Sequence, residues 1–314
     1  MSDIYASIDL GTDSIKVVVC EKMQNKYHVL ACTSSPSSGI KDGFIVDMKS
    51  AVASVKNAIR EVNSALGMRV TKVIACVPPE DCTMDIMTGE ADVIDFNNIT
   101  GEDVSNVLQD ALKDIDFEED ELVTAMPINF NIDTDTGVHD PKGMKGKKLR
   151  ARVVVSTTPK EPLYRILEVL KLAGLETIDI CYSSYGDYYC MKDKKYDELV
   201  GAVINIGEES TNISIFNRGI QIKHGTIPIG SKHVDKDLTY VYKCKLSDSR
   251  AMKEKFAVAL SSYADANEVW ELPIDRNEIR EVNQLSISKV VEARVQELLN
   301  VSKNEIKNLT NREI

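Results

Sequence analysis

Several features that mark large classes of proteins are scarce in this sequence. It has no apolar run of the roughly 18 residues that a membrane-spanning helix needs, and its first residues, Met-Ser-Asp-Ile, do not resemble a signal peptide. Positive charge is also scarce, since 38 Lys and Arg accompany 49 Asp and Glu, for a net charge of -11. Nucleic-acid binding depends on clustered cations that displace counterions. We therefore expect a soluble protein that does not bind nucleic acid.

Disulfide and zinc-binding patterns are also missing. The seven cysteines form no C-x-x-C pair, and the four histidines are widely separated. An odd number of scattered cysteines is typical of reduced thiols in a cytosolic protein. Zinc sites need ligands that cluster in the sequence. Because most of the cysteines fall in apolar runs, we expect a cytoplasmic protein with reduced, buried thiols and no zinc.

The most informative segment is Ile4–Val19, with the sequence I-Y-A-S-I-D-L-G-T-D-S-I-K-V-V-V. Its β-branched flanks predict two strands joined by the polar turn Asp9–Ser14. The small and hydroxyl residues of such a turn let backbone N–H groups surround an anion, commonly a phosphate. Asp9 is suited to a divalent cation or a water, and Lys16 adds a cation beside the turn. The alternative is an ordinary hairpin with a polar turn.

The same pattern returns in Val200–Phe216, again as strand, small polar turn and strand. A third strand is predicted after each of the two hairpins. Aligning Asp9 with Asn205 also aligns Gly11 with Gly207. The repetition predicts an internal duplication in which the phosphates of a nucleotide lie between the two turns. A chance likeness of two hairpins is the alternative.

The segments between and after the hairpins predict alternating helices and strands. Apolar residues at helical spacing predict a helix that ends before Gly67, and Lys72–Val77 is a predicted strand. Residues 82–158 differ in sequence pattern from the segments on either side. They include a predicted acidic loop at 133–140 and indicate a small α+β insert. A long helix with an apolar stripe is predicted near the end, from about Ser286 to Leu309.

Five segments, taken in order, resemble FtsA, a family of bacterial actin-like cell-division proteins within the actin, Hsp70 and sugar-kinase superfamily. They are S-I-D-L-G-T-D-S-I-K-V (7–17), G-F-I-V-D (43–47), G-M-K-G-K-K-L (143–149), I-P-I-G (227–230) and V-E-A-R-V-Q-E-L (291–298). The resemblance covers nearly the whole chain.

This resemblance implies an α/β, actin-like (ribonuclease-H-like) fold of two domains, with a nucleotide cleft and an FtsA-type inserted α+β subdomain. The implied limits are 1–81 and 159–198 for the first domain core, 82–158 for the insert, 199–231 and 285–314 for the second, incomplete core, and 232–284 for its small subdomain.

The resemblance also implies ATP and Mg²⁺ as ligands. The positions that match the family's nucleotide-binding residues are Asp9, which is also the metal position, Gly11, Thr12, Ser14, Lys16, Gly207, Ser210, Gly230, Lys253 and Glu254. The two turns would contact phosphates, Lys16 the terminal phosphate, and Gly230 the nucleoside. Lys253 and Glu254 would lie near the ribose and adenine.

The second turn departs from the family pattern. Asn205 replaces an acid that orders the metal's water or activates a nucleophile. Glu208 and Glu209 replace glycines and add negative charge where phosphates are expected, and Arg250 replaces a Glu. We therefore expect ATP binding with slow or absent hydrolysis, at most a weak ATPase. Glu209 acting as a general base is the alternative.

The helix at 291–298 matches the one that binds the C-terminal peptide of the tubulin-like FtsZ in the family, with Arg294 and Glu297 as contact residues. An Arg side chain suits an acidic peptide, although an exposed helical pair at i,i+3 is the simpler interpretation. The implied function is a cell-division adaptor that assembles with itself into actin-like protofilaments. The alternatives are an FtsA-like adaptor of pilus machinery and an ATP-dependent small-molecule kinase.

The family continues beyond the position of Ile314 into a strand, a linker and an amphipathic membrane-binding helix. We therefore expect this chain to lack direct membrane binding. For the full-length family, the resemblance implies a location at the division site, on the inner face of the cell membrane.

Overall fold

The computed structural model describes residues 3–24, 26–193, 199–275 and 278–311. The chain divides into two compact units, the first formed by Met1–Val203 and Ser214–His224 and the second by Ile204–Ile213 and Gly225–Ile314. The domain limits expected from the sequence are finer than this division and remain a prediction. No helix among the described residues combines the length and the apolar character needed to cross a bilayer.

Strands and helices alternate along most of the chain. The strands are β1 (Asp3–Leu10), β2 (Ser14–Met23), β3 (Lys26–Pro36), β4 (Ile40–Lys41), β5 (Phe44–Ile45), β6 (Lys72–Val77), β7 (Thr83–Asp92), β8 (Asp120–Ile132), β9 (Asp135–Val138), β10 (Lys148–Pro159), β11 (Glu176–Tyr182), β12 (Val200–Ile206), β13 (Thr211–Asn217), β14 (Ile220–Ile227), β15 (Val269–Asp275) and β16 (Glu278–Asn283). The helices are α1 (Met48–Leu66), α2 (Gly101–Leu112), α3 (Lys160–Leu172), α4 (Ser183–Met191), α5 (Ser231–Tyr242), α6 (Leu246–Lys255) and α7 (Gln284–Thr310), with a short 3₁₀ turn at Ser261–Tyr263.

The first unit is built on a five-stranded sheet in the order β11-β6-β1-β2-β3. The predicted opening hairpin is confirmed, since β1 and β2 are antiparallel with Asp9 opposite Lys16. Strands β6 and β11 continue the sheet in parallel with β1. One face of the sheet is apolar and packs against α1 and α3, as period-two alternation in β1 and β6 requires.

Helix α1 ends before Gly67, as expected from the sequence, and begins at an N-cap that was not predicted. Asp47 is the N-cap, and its carboxylate accepts a hydrogen bond from the backbone N–H of Lys49 at 3.0 Å. Gly67 ends the helix with φ of 66°, a left-handed conformation that costs glycine little. Asp47 belongs to the G-F-I-V-D segment, so this part of the family-like motif has a local structural role.

The insert in the first unit is a four-stranded sheet in the order β7-β10-β8-β9, with α2 packed on it. The expected acidic loop at 133–140 is wrong in part, because β9 lies within it and pairs with β8. Strand β7 was not predicted. Its residues alternate little between buried and exposed, which leaves no period-two signal in the sequence.

Strands β12, β13 and β14 form a three-stranded sheet, and the division between the two units falls within this region of the chain. The second unit also contains α5, α6, α7 and the β15–β16 hairpin. Its apolar core includes Val234 and Leu238 of α5, Met252 of α6 and Val291 of α7.

All seven cysteines are free, as predicted, but the prediction that they are buried is wrong. Cys32 and Cys190 are exposed, and the other five are partly exposed. The reason is visible in β6, where Ala75 and Val77 face the apolar core and Cys76 points to the other side of the sheet.

Candidate functional site

The first polar turn places an acid and a base side by side. Asp9 ends β1 and Lys16 lies opposite it on β2. The Lys16 Nζ atom is 3.5 Å from the Asp9 Oδ2 atom. The structure therefore brings together the two charged residues that the sequence assigned to a phosphate and a metal.

The surroundings of Asp9 favour an additional cation. Burial raises the pKa of Asp9, Lys16 opposes this shift, and the negative charge of Asp187 adds to it. Burial disfavours the ionised form of a carboxylate, and a nearby positive charge stabilises that form. A cation bound at Asp9 would stabilise its charged form.

Gly11 is required by the close packing of the turn. A Cβ atom at this position would lie 2.8 Å from the carbonyl oxygen of Ser14. The hydroxyl of Thr12 accepts a hydrogen bond from the backbone N–H of Gly43 at 3.1 Å. The turn is thus held by Ser14 on one side and by the G-F-I-V-D segment on the other.

The second polar turn, in the second unit, has the same constraint. A Cβ atom on Gly207 would lie 2.9 Å from the carbonyl oxygen of Ser210, and that oxygen accepts the Gly207 N–H at 2.9 Å. The neighbouring Thr211 donates its hydroxyl to the carbonyl of Ile229 at 2.6 Å. The two turns differ in sequence but share the same relation between a glycine and a serine carbonyl.

Helix α5 begins directly against the second turn. Ser231 and Lys232 donate their backbone N–H groups to the carbonyls of Gly207 and Glu208, each at 2.8 Å. A Cβ atom on Gly230 would lie 2.4 Å from the Glu208 carbonyl oxygen, so this position also requires glycine. The first N–H groups of α5 are therefore used to fix the turn.

The two acids of the second turn are paired with cations. Lys232 Nζ lies 2.8 Å from Glu209 Oε1 and 3.9 Å from Glu208 Oε1. Arg250 of α6 reaches Glu208 Oε1 at 3.9 Å and pairs with Glu254 at 2.7 Å. The negative charge that these acids add where phosphates are expected is thus offset by Lys232 and Arg250. Arg250, which departs from the family, faces Glu208, which departs from it as well.

Lys253 has a structural partner in addition to its predicted ligand role. Its Nζ atom donates to Asp235 Oδ2 of α5 at 2.9 Å and to the Ser231 carbonyl at 3.2 Å. Asp235 is buried, and a buried carboxylate needs such a partner. Lys253 therefore holds α6 against the start of α5.

The structure thus assembles the predicted residues into two sets, one in each unit. The first unit holds Asp9, Gly11, Thr12, Ser14 and Lys16, and the second holds Gly207, Ser210, Gly230, Lys253 and Glu254. Lys232 was missed, although a lysine two residues after the I-P-I-G segment was a usable signal.

Arg294 forms a contact that the sequence did not indicate. Its Nε and Nη2 atoms donate to the two carboxylate oxygens of Asp237, at 2.6 and 2.8 Å, and its Nη1 atom donates to Glu297 at 2.6 Å. The predicted pair of Arg294 with Glu297 is present. The bidentate contact of Arg294 with Asp237 also joins α7 to α5. Beside it lies a groove of about 440 Å³, lined among others by Tyr240, Lys289, Arg294 and Glu297.

Family models match two parts of the chain. The model described as cell division protein FtsA matches residues 202–312, and the model described as SHS2 domain inserted in FTSA matches residues 83–157. The chain is 28% identical over 312 residues to the cell division protein FtsA of Bacillus subtilis, covering 98% of this chain and 70% of that protein. It is 27% identical to FtsA of Streptococcus pneumoniae, covering 96% of this chain and 66% of that protein.

Solved structures with the same fold include the PilM-PilN type IV pilus biogenesis complex, with a TM-score of 0.61 at 15% identity, covering 96% of this chain and 76% of that chain. Another is MreB5 of Spiroplasma citri bound to ADP, with a TM-score of 0.54 at 11% identity, covering 99% of this chain and 79% of that chain. These likenesses show the actin-like fold. The two family models and the alignments to curated relatives, which cover 96–98% of this chain, show that the chain belongs to the FtsA family.

Proposed function

We propose that this protein is a nucleotide-binding, actin-like cell-division protein that binds ATP together with Mg²⁺. The observation that carries the proposal is the shared geometry of the two turns, in which Gly11 and Gly207 each pack against a serine carbonyl. Glycine at these two positions lets each turn fold tightly onto its serine carbonyl, and tight polar turns are the kind of structure in which backbone N–H groups surround a phosphate.

The residues present fit Mg²⁺ delivered with a nucleotide. Among the described residues, no group of three or more His, Cys, Asp and Glu side chains is arranged to hold a metal alone. Mg²⁺ is commonly bound through one or two carboxylates together with substrate phosphates. Asp9 supplies one carboxylate, and its surroundings favour a cation. Bound there, Mg²⁺ would neutralise phosphate charge.

We propose that ATP hydrolysis is slow or absent. Asn205 lacks the carboxylate that would activate a water. Glu209, the alternative base, is held by Lys232 at 2.8 Å, so a water would have to compete with the ammonium for this carboxylate.

For partners, we propose the C-terminal peptide of FtsZ and a second copy of this chain in a protofilament. The groove between α5 and α7 supports the peptide, because it combines the cations Lys289 and Arg294 with apolar Val290 and aromatic Tyr240. Tyr240 is 74% exposed and offers a large side chain for a partner to cover.

The proposed location is the division site at the inner face of the membrane. The chain spans 66–70% of the length of the curated relatives named above.

A titration with ATP, with and without Mg²⁺, tests nucleotide binding. We expect saturable binding that strengthens with Mg²⁺ and is weakened by Gly207→Ala. The matched control is Gly201→Ala in β12, where a Cβ atom meets nothing within 4 Å. If no binding were detected at millimolar ATP, the nucleotide proposal would be wrong and the protein would act as a scaffold without a nucleotide.

Peptide binding is tested separately with an acidic peptide of the FtsZ C-terminal type. We expect Arg294→Glu to weaken binding, and Lys303→Glu, the same charge change at an exposed site of α7, to leave it unchanged. Equal affinities of the wild type and Arg294→Glu would show that Arg294 does not take part in peptide binding.

A phosphoryl-transfer screen tests the kinase alternative, which requires measurable turnover on a small acceptor. The pilus-adaptor alternative shares the fold and predicts no affinity for the FtsZ peptide.

A further inference from the structure

A row of four side chains crosses the central sheet of the first unit. Lys16 of β2 lies opposite Asp9 of β1, Asp9 opposite Cys76 of β6, and Cys76 opposite Cys181 of β11. Residues in register on neighbouring strands point to the same face of a sheet. The two cysteines therefore stand beside the acid of the first turn.

Cys76 and Cys181 lie in register on neighbouring parallel strands, and the usual spacing of such strands falls within the Cα range of disulfides. Neighbouring strands are about 4.8 Å apart, and bridged cysteines have Cα atoms about 4.4–6.8 Å apart. Both cysteines are free thiols. Both side chains are partly exposed, so a small oxidant can reach them.

We propose that Cys76 and Cys181 are a modification site, a dithiol that hydrogen peroxide oxidises reversibly to an intrachain disulfide. In the first step, a thiolate attacks a peroxide oxygen and the O–O bond breaks, giving a sulfenic acid and, after protonation, water. The second sulfur then attacks the sulfenic sulfur, the S–S bond forms and the S–O bond breaks, and a second water leaves. The two thiols lose two electrons and two protons, and one peroxide is reduced to two waters.

The bridge would act on the neighbouring turn, an effect that rests on the proposed nucleotide site. Oxidation removes both thiol hydrogens beside Asp9 and ties β6 to β11 at the ends of the strands next to the turn. We expect the oxidised protein to bind ATP more weakly than the reduced protein, with recovery after reduction.

The experiment treats the wild-type protein with hydrogen peroxide, alkylates it under denaturing conditions with iodoacetamide, and maps the peptides by mass spectrometry. We expect alkylation of the seven free thiols to fall by two, with a Cys76–Cys181 linked peptide that dithiothreitol removes. Cys181→Ser should form no bridge at Cys76. Cys32→Ser, at an exposed position on β3, should form the bridge as the wild type does.

Two results would overturn the proposal: full alkylation of Cys76 and Cys181 after peroxide treatment, or oxidation of either one to sulfinic acid without a bridge. The wild-type measurement decides this even if a variant fails to fold. Bridge formation in a protein that does not bind ATP would refute the nucleotide proposal alone. ATP binding without a bridge would refute the dithiol alone.

Discussion

Gly11 and Gly207 hold equivalent positions in two separate hairpins. A Cβ atom on Gly11 would lie 2.8 Å from the Ser14 carbonyl oxygen, and one on Gly207 would lie 2.9 Å from the Ser210 carbonyl oxygen. The offset from glycine to serine is three residues in both turns, although the residues between them differ. This steric constraint, shared by both turns, supports the internal duplication inferred from the sequence.

The first prediction concerns Gly207→Ala. Overpacking of this kind typically costs about 1–3 kcal/mol, because the backbone must shift away from the new atom. We expect a loss of that size in the free energy of unfolding, measured with urea. Gly201→Ala, on the strand leading into the same turn, should cost far less because the space there is open. Equal losses in the two variants would show that the Ser210 carbonyl places no constraint on residue 207.

The parts of the fold that the sequence predicted best depend on local patterns. The opening hairpin, α1 with its terminal Gly67, and β6 follow from hydrophobic periodicity, β-branched residues and the glycine stop signal, all of which lie within a few residues of one another. Strand β7 was missed because neither of its faces is consistently apolar.

For the candidate site, the sequence named individual residues but not their pairings, and the roles of those residues stay predictions. The contact of Lys232 with Glu209 spans 23 positions, and that of Arg294 with Asp237 spans 57. Such contacts arise from how α5 packs on the second turn and on α7, which no local pattern reports. For this reason the sequence indicated only added negative charge at Glu208 and Glu209, whereas the structure pairs both with cations.

The second prediction concerns Lys232→Ala. Glu208 and Glu209 are mostly buried, and loss of the Lys232 ammonium removes a cation that both contact. Removing one partner of a partly buried ion pair typically costs about 1–3 kcal/mol. We expect a loss of this order in urea unfolding, together with weaker ATP binding because negative charge at the turn is less compensated.

The matched control is Lys236→Ala, at an exposed position of the same helix, which should change neither stability nor ATP affinity appreciably. If the two variants behaved alike, the charges of the second turn would be solvated and Lys232 would have no special role.

The third prediction concerns Asp237→Asn. Asp237 accepts hydrogen bonds from two nitrogens of the Arg294 guanidinium and lines the same groove. An acidic peptide must compete with this carboxylate for Arg294. Since partly exposed ion pairs contribute about 0.2–1 kcal/mol, removing the Asp237 charge should raise peptide affinity by up to about fivefold. Fluorescence anisotropy with a labelled acidic peptide measures this.

The control for Asp237→Asn is Glu271→Gln, which makes the same charge change at an exposed position of β15. An equal gain in both variants would indicate a general effect of net charge, and unchanged affinity in Asp237→Asn would separate Arg294 from peptide recognition.

The fourth prediction concerns the pH dependence of stability, through His224 in the first unit. Its Nδ1 atom lies 3.1 Å from the hydroxyl of Ser214, which also accepts a hydrogen bond from Gln221 at 3.1 Å. Burial lowers the pKa of His224 from 6.5 to about 4. Between these two values the unfolded chain binds a proton that the folded chain does not, so stability is greatest above the unfolded pKa and falls as the pH decreases towards the folded one.

From the depressed pKa we expect His224 to account for about 2 kcal/mol of lost stability between pH 7 and pH 5. Urea unfolding of the wild type and of His224→Gln at both pH values isolates this contribution, because the carboxylates titrate equally in both proteins. His28→Gln, at an exposed position on β3, should keep the pH dependence of the wild type. The same loss between pH 7 and pH 5 in the wild type and in His224→Gln would contradict the assignment. It would mean that His224 takes up its proton in the folded state as readily as in the unfolded chain.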